Sequence, residues 1–384
     1  MDQMHQKGTN DTSCWFHPGN LYRSGSFLLL EGRRMMDGKW GMRFVLMGWL
    51  SVSIGLAQSV TPSFRGLPPL PGYIASFAYG VSPDGRYVVG YSAGFNGVQQ
   101  ACRWTATGEV QPIDENYYAT QCSYDGTVIV GQTQILSDGR SWGFRWTGAG
   151  TTQVLPLFLA EDVSWDGNYV VGSGLNYIFR WRVDGTTDSM VINGQGLFAE
   201  GISADGQTVV GNYRTALIDR FGPVDYAFLW TPAGGFRSLG TLPNGGSSTA
   251  HAVSGNGAVV VGEARNRDSW WRAFRWTSST GMQELGTLGG PMSAAYAASY
   301  DGSVIVGKSL INSSSASERA FRWTSRKKME DLKRALMNAG VTAVSNWTLL
   351  AATDVSADGT TIVGYGLNPQ LQYQAFRATL PLPR

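Results

Sequence analysis

Histidine and cysteine are scarce in this 384-residue sequence, which holds three of each: His5, His17 and His251, and Cys14, Cys102 and Cys122. A His-based zinc site or a Ser-His-Asp triad in the body of the chain would have to be built around His251 alone. That residue occupies a position held by Thr120, Glu161 or Glu200 in neighbouring stretches, at the rim of a hairpin, where a satisfied polar residue is expected. Charge is sparse too, at 15% of residues with a net balance of +2. Without a basic run there is no electrostatic footprint for nucleic acid or anionic lipid, and neither partner is expected.

Long apolar runs are also missing. The stretch "FVLMGWLSVSIGLA" at 44–57 has fourteen residues, too few to span a bilayer. It follows Arg43, carries no charge and ends in Gly-Leu-Ala before Gln58, as a secretory signal peptide does. The expected organisation is an extension or disordered leader over 1–41, a signal peptide over 42–57 and one domain over 58–384. Met42, Met35 or Met36 then serves as initiator, and an uncleaved anchor is the alternative. Past residue 57 the chain carries 24 basic and 24 acidic residues. The expected location is secreted, periplasmic or at the cell surface, with no membrane insertion after cleavage. Cys102 and Cys122 replace apolar residues of a repeat and read as small buried hydrophobes. Export would also allow them to pair, a disulfide that sequence leaves open.

Glycine and aromatic residues are what the chain has in quantity: 50 Gly, 16 Tyr, 16 Phe and 14 Trp. With few helix-periodic stretches, this composition favours an all-β fold rich in turns. The phrase "AYGVSPDGRYVVGYS" (78–92) returns as "TQCSYDGTVIVGQT", "EDVSWDGNYVVGSG", "EGISADGQTVVGNY", "HAVSGNGAVVVGEA", "AASYDGSVIVGKS" and "TDVSADGTTIVGYG". The turn glycines Gly85, Gly126, Gly167, Gly206, Gly257, Gly302 and Gly359 lie 41, 41, 39, 51, 45 and 57 residues apart. That spacing belongs to propeller blades or a solenoid. Each unit has four short pieces, and the Asp-Gly or Asn-Gly pair makes the middle two a hairpin.

In "AFRWT" the aromatic residues stand two apart and share one face of a strand, which predicts a core. The glycine after "VV" (Gly90, Gly131, Gly172, Gly211, Gly262, Gly307 and Gly364) predicts a bulge or a close backbone approach. The chain enters on "SFRGLPPLPG" (63–72), like a unit's first piece, and ends on "AFRATLPLPR" after a fourth. The two ends therefore complete one unit between them. The expected fold is an all-β, seven-bladed propeller of four-stranded antiparallel blades, closed by the N-terminal strand so that no edge is left open. An open solenoid is the runner-up. The run "RKKMEDLKRALMNAG" (326–340) predicts one amphipathic helix packed on the ring near the C-terminal blade, with Met329, Leu332, Leu336 and Ala339 inward and Gly340 as its C-terminal cap.

On these motifs, "HAVSGNGAVVVGEA" followed by "AFRWTSSTGMQELGTLGG", residues 63–384 resemble the HAF-repeat family of probable extracellular bacterial proteins. The resemblance implies export and repeated β architecture. It carries no activity and no catalytic residues.

Asp84, Asp125, Asp166, Asp205, Asn256, Asp301 and Asp358 recur once per unit and read as turn formers. A catalytic carboxylate pair would be unique, and one Asp per turn is too few for calcium. Arg103, Arg145, Arg180, Arg275, Arg322 and Arg377 of the "FRW" motif are expected to bridge neighbouring blades through a carboxylate or turn carbonyl. No metal and no cofactor is expected. Individuality lies where units differ, chiefly in the loops after the "VVG" strand, which should crowd one end of the ring. Trp142, Trp165, Tyr213, Arg214, Trp270 and Trp271 are the candidate ligand contacts.

The leading expectation is a non-catalytic binding or surface-scaffold module, a monomer, for an unknown glycan or protein. One alternative is an extracellular carbohydrate-active hydrolase or lyase using Glu161, Glu200 or Asp354 near His251. Another is a purely structural envelope component. A convergent carboxylate pair in the channel favours the enzyme, clustered loop tryptophans favour binding, and neither favours a scaffold.

Overall fold

A computed structural model describes residues 60–383, apart from 96, 116, 134–140, 149, 156–158, 175–176, 192–195 and 220–221. The proposed extension and signal peptide lie outside these residues. Seven separate four-stranded antiparallel sheets follow one another along the chain. Blades 1 to 6 span 75–115, 117–155, 159–190, 197–240, 248–284 and 293–331. Blade 7 takes three strands from 348–379 and its fourth from Ser63–Leu67. That N-terminal strand runs antiparallel to Tyr373–Thr379, with Ser63 opposite Thr379 and Leu67 opposite Ala375. The ring is therefore closed by the incoming strand, as a propeller requires and a solenoid does not. Closure is reinforced by Phe64, whose ring meets Trp347 edge-on at 5.1 Å, and by Ser76 Oγ, which donates to Leu67 O at 2.7 Å.

The period-2 "FRW" motif explains how flat blades become a ring. Phe274 and Trp276 of blade 5 share a core with Val210 and Ala227 of blade 4, and Phe321 and Trp323 of blade 6 share one with Val259 and Val261 of blade 5. The aromatic face of each third strand thus packs backward onto the preceding blade, each buried ring contributing roughly 1.5–3 kcal/mol. In five blades the intervening arginine faces forward, and blade 4 has Leu229 in its place. Arg103, Arg145, Arg180 and Arg377 donate to the carbonyls of Gly126, Gly167, Gly206 and Gly85 in the next blade's turn, at 2.9, 3.3, 2.7 and 3.0 Å. Arg322 reaches Pro381 O at 3.0 Å and pairs with Glu330. In the turns, Ser82, Ser123 and Ser203 donate to Asp84, Asp125 and Asp205, and Ser254 does so to Asn256. The turn aspartates are thus held by hydrogen bonds within their own turns.

One expectation needs correction, and one open question is answered. Only Leu332–Asn338 of the run 326–340 is helical, while Lys328–Asp331 is the outer strand of blade 6. The blade needs a fourth strand, and Met329 pairs opposite Trp323 while Glu330 sits opposite Arg322. Asp331 then caps the helix by accepting from Arg334 N at 2.8 Å, and Gly340 ends it at φ +84°. Cys102 and Cys122 do not pair: both thiols are free and buried, one in the core between blades 7 and 1, the other between blades 1 and 2. Cys102 fills a phenylalanine position facing backward, beside Ser92 Oγ at 3.5 Å.

Candidate functional site: the central channel

The first strand of each blade lies innermost, and these strands touch one another around the axis. Every one of them carries a bulge. The extra residue is Tyr79, Thr120, Glu161, Glu200, His251, Tyr296 and Thr353 in blades 1 to 7, and all seven line a central cavity of about 550 Å³. The cause is the glycine after "VV". A Cβ on Gly90, Gly211, Gly262 or Gly307 would sit 1.9–2.0 Å from the carbonyl oxygen of Phe77, Phe198, Thr249 or Ala294 on the bulged strand. Only a residue without a side chain lets the inner strand buckle that close.

Two of the channel's carboxylates hold the ring together. Asp162 accepts from Ile202 N of blade 4 at 2.8 Å and from Val163 N at 2.7 Å. Asp354 accepts from Val81 N of blade 1 at 2.8 Å, Val355 N at 2.7 Å and Gln121 Nε2 of blade 2 at 3.0 Å. Burial nevertheless pushes Asp162 up to about 7 and Asp354 up to about 6.

Glu161 and Glu200 are differently placed. They project from neighbouring bulges, and Glu161 accepts from Gln132 Nε2 at 2.5 Å. Burial, then the charge of Glu200, pushes Glu161 up to about 8. Burial also raises Glu200, while His251 pulls it back. His251 Nε2 lies 3.7 Å from Glu263 Oε1, beyond hydrogen-bond range, and its ring meets Tyr296 edge-on at 5.5 Å. Burial works against protonation of His251, but Glu263 and then Glu200 raise it above the ordinary histidine value. Across the channel the wall is aromatic: Tyr79 stacks on Tyr91 at 5.8 Å, Tyr91 meets Tyr118 at 6.2 Å, and Phe77 meets Tyr365 at 5.4 Å.

The two ends of the channel differ. At the turn end a belt of backbone bonds links all seven blades. It runs Tyr124 N to Trp165 O, Trp165 N to Ala204 O, Ala204 N to Gly255 O, Asn256 N to Tyr300 O, Tyr300 N to Ala357 O and Ala357 N to Pro83 O, at 2.8–3.1 Å. Pro83 has no N–H, so Asp84 N makes the seventh link to Tyr124 O at 3.5 Å. Inside this belt the Trp165 ring sits 5.5 Å from Tyr124 and 5.2 Å from Tyr300 of blade 6, forming a floor across the channel. Gly255 makes room for it, since a Cβ there would lie 2.5 Å from Tyr300 and 2.8 Å from Trp165.

The six residues expected from sequence to contact ligand are not gathered together. Trp165 is the floor, and the other five stand at the loop end. Tyr213 packs on Phe236 at 5.1 Å, and Arg214 pairs with Asp225 at 3.1 Å. Trp142 is fixed by backbone bonds to Thr133, and Trp270 is half-exposed on a turn with Asn266. Trp271 lies under the Arg265 guanidinium at 5.0 Å and lines a second cavity of about 310 Å³ between blades 5 and 6. The carboxylates named for the enzyme alternative, with His251, do converge on the channel. Sequence reasoning missed Tyr79, Tyr118, Tyr296 and Tyr365. Two of them, Tyr79 and Tyr296, were visible as the residue after the small Ala of each inner strand, a position where the units disagree.

Among the described residues, no helix is long and apolar enough to cross a membrane, and no group of His, Cys, Asp and Glu could hold a metal ion. No family model matches the chain, and no curated protein does. Solved structures are similar in fold. The β-propeller domain of the Trilobed protease from Pyrococcus furiosus, described as having an open velcro topology, is 10% identical over 79% of this chain and 95% of its own, with a TM-score of 0.56. Virginiamycin B lyase from Staphylococcus aureus is 13% identical over 84% and 99% at 0.47, and TolB from Acinetobacter baumannii 14% over 65% and 63% at 0.44.

Proposed function

We propose that the chain is an exported propeller that binds a sugar-sized, hydroxyl-rich ligand in its central channel. The observation that carries this reading is the floored cavity of about 550 Å³ into which Glu161, Glu200 and His251 project on bulges. Among the described residues no lysine or arginine lines it, so an anionic ligand would meet carboxyls with only His251 to offset them. Phenols, and carboxyls that burial holds toward the protonated form, can both donate and accept, as hydroxyl groups require. The tyrosine faces supply apolar wall. Export is supported by the 44–57 segment and by the resemblance of the repeats to HAF proteins.

The test is calorimetric titration of the full chain with a panel of mono- and disaccharides. Glu200→Gln and His251→Ala should each weaken binding about tenfold, the effect of losing one buried hydrogen bond, while Trp270→Ala leaves it unchanged. Binding that ignores the channel variants and follows Trp270 would refute the proposal.

A second reading, hydrolysis of a glycosidic bond, is favoured by the unequal surroundings of the adjacent Glu161 and Glu200, one against Gln132 and the other against His251. Such inequality can separate an acid from a base. Turnover present in the natural chain and lost in Glu200→Gln, with binding retained, would establish it.

A further inference from the structure

The second cavity adjoins the first. Tyr296 lines both, and Glu263, which lines the cleft between blades 5 and 6, faces His251 of the channel at 3.7 Å. The cleft opens at the loop end, where the second and third strands of blade 6 are joined. Its furnishings differ from the channel's. Trp271 offers an indole whose neighbour on the protein side is Arg265 at 5.0 Å. Facing it, Lys308 and Glu318 form a pair at 2.9 Å, with the Lys308 ammonium 6.0 Å from the Tyr296 ring. A flat aromatic face beside a donor and an acceptor held together suits a pyranose ring, whose C–H face is apolar and whose rim carries hydroxyls. The Lys308 charge is already matched by Glu318, so a neutral ring fits better than an anionic one.

We infer that the ligand is a linear oligosaccharide whose chain leaves the channel over Tyr296 and continues into the cleft between blades 5 and 6, where one further sugar unit stacks on Trp271 and bonds to Lys308 and Glu318. This inference rests on the channel-binding reading and deepens it. It separates the two adjacent loop tryptophans: Trp271 belongs to the site, and Trp270, turned out on the Asn266 loop, does not.

The experiment uses the full chain on an array of linear homo-oligosaccharides of glucose, N-acetylglucosamine, mannose and xylose, one to six units long. Affinity for the recognised series should rise about tenfold between the shortest bound member and one two units longer, the gain of one additional stacked unit. Trp271→Ala should remove that rise while leaving affinity for the shortest bound member unchanged, which also shows that the variant folds, and Lys308→Met should independently remove the rise. Trp270→Ala should behave as the natural chain. If affinity is independent of length, or if the rise survives both cleft variants, the extension is wrong and the channel reading stands. If no array member binds, the channel reading fails and the extension fails with it.

Discussion

Gly211→Ala should damage both the fold and the channel, because the inner-strand bulge that carries Glu200 is pressed onto this glycine. A Cβ there would lie 1.9 Å from Phe198 O, 2.9 Å from Phe198 C and 3.0 Å from the Ala199 Cα. Carbon and oxygen settle no closer than about 3.3 Å, so the overlap exceeds roughly 1 Å and falls on backbone that cannot rotate away. Relief requires the inner strand of blade 4 to flatten, with loss of the shifted pairing between Ala199 and Gly201 opposite Gly211 and Val210. Overpacking of this kind costs about 3 kcal/mol or more. The thermal midpoint, followed by near-ultraviolet circular dichroism, should fall by roughly 5 °C or more. Ligand binding should weaken in the protein that remains folded, since Glu200 is displaced from beside His251. Gly94→Ala is the control. Its nearest neighbours lie at 3.7 Å and its backbone is outside the left-handed region, so a change within about 0.5 kcal/mol is expected. Equal melting of the two variants would refute the account of the repeated glycine as a seat for the bulge.

Stability should decline as pH rises between about pH 5 and pH 9. Glu161 has a folded value of about 8 against an ordinary 4.5, so the folded chain binds the extra proton in this window and loses the associated stability as the proton leaves, about 2–4 kcal/mol for this group. Glu161→Gln should flatten the urea-midpoint profile, and an unchanged slope would contradict the burial of that carboxyl. Trp165→Ala should open the channel floor and cost about 1–2 kcal/mol in denaturant melts, for a half-buried indole between two tyrosines. A variant as stable as the natural chain would mean that the ring does not pack across the axis. Site-resolved alkylation should find Cys102 and Cys122 unreactive in the folded chain and modified after unfolding, because burial pushes Cys102 up to about 12 and Cys122 well above its ordinary value. A Cys102–Cys122 bridge in oxidised protein would overturn the separation of the two cores.

Blade number, closure and the structural reading of the turn aspartates were legible because each follows from a short local rule repeated seven times. Asp-Gly demands a hairpin, Phe and Trp two apart demand one buried face, and a one-strand fragment that matches a three-strand fragment demands closure. The outer strand of blade 6 was not legible. "KMED" supports both a 3.6-residue and a 2-residue period, and the choice was made by Trp323 and Arg322 across the sheet rather than by its own residues. The disulfide was left open for a related reason, since distance between two columns of a repeat depends on which way each strand faces.

Sequence drew attention to the loops rather than to the channel for a more general reason, and it bears on how such repeats acquire individuality. Loop tryptophans attract attention because they break the pattern by insertion, yet Tyr213, Arg214 and Trp142 are held by partners within their own blades. The bulge breaks no pattern and so draws none. Its backbone is dictated by the repeat, through a glycine on the second strand, while its side chain lines the axial cavity and meets the next blade through single contacts such as Thr353 Oγ1 to Ala78 O at 3.0 Å. That position accommodates Tyr, Thr, Glu or His within one ring, as Tyr79, Thr120, Glu161, Glu200, His251, Tyr296 and Thr353 show. The adjoining position is not free in the same way: Asp162 and Asp354 there are tied to backbone amides of the next blade. Exchange of bulge side chains should thus retune the ligand at the cost of about one hydrogen bond rather than of the ring. Thr353→Glu, away from Glu161 and Glu200, should shift binding on the oligosaccharide array and cost about 1–2 kcal/mol, the loss of the Thr353 hydroxyl bond to Ala78 O at 3.0 Å. Should Thr353→Glu unfold the ring, the bulge column is structural after all, and the channel loses its claim to be where this propeller differs from its own repeats.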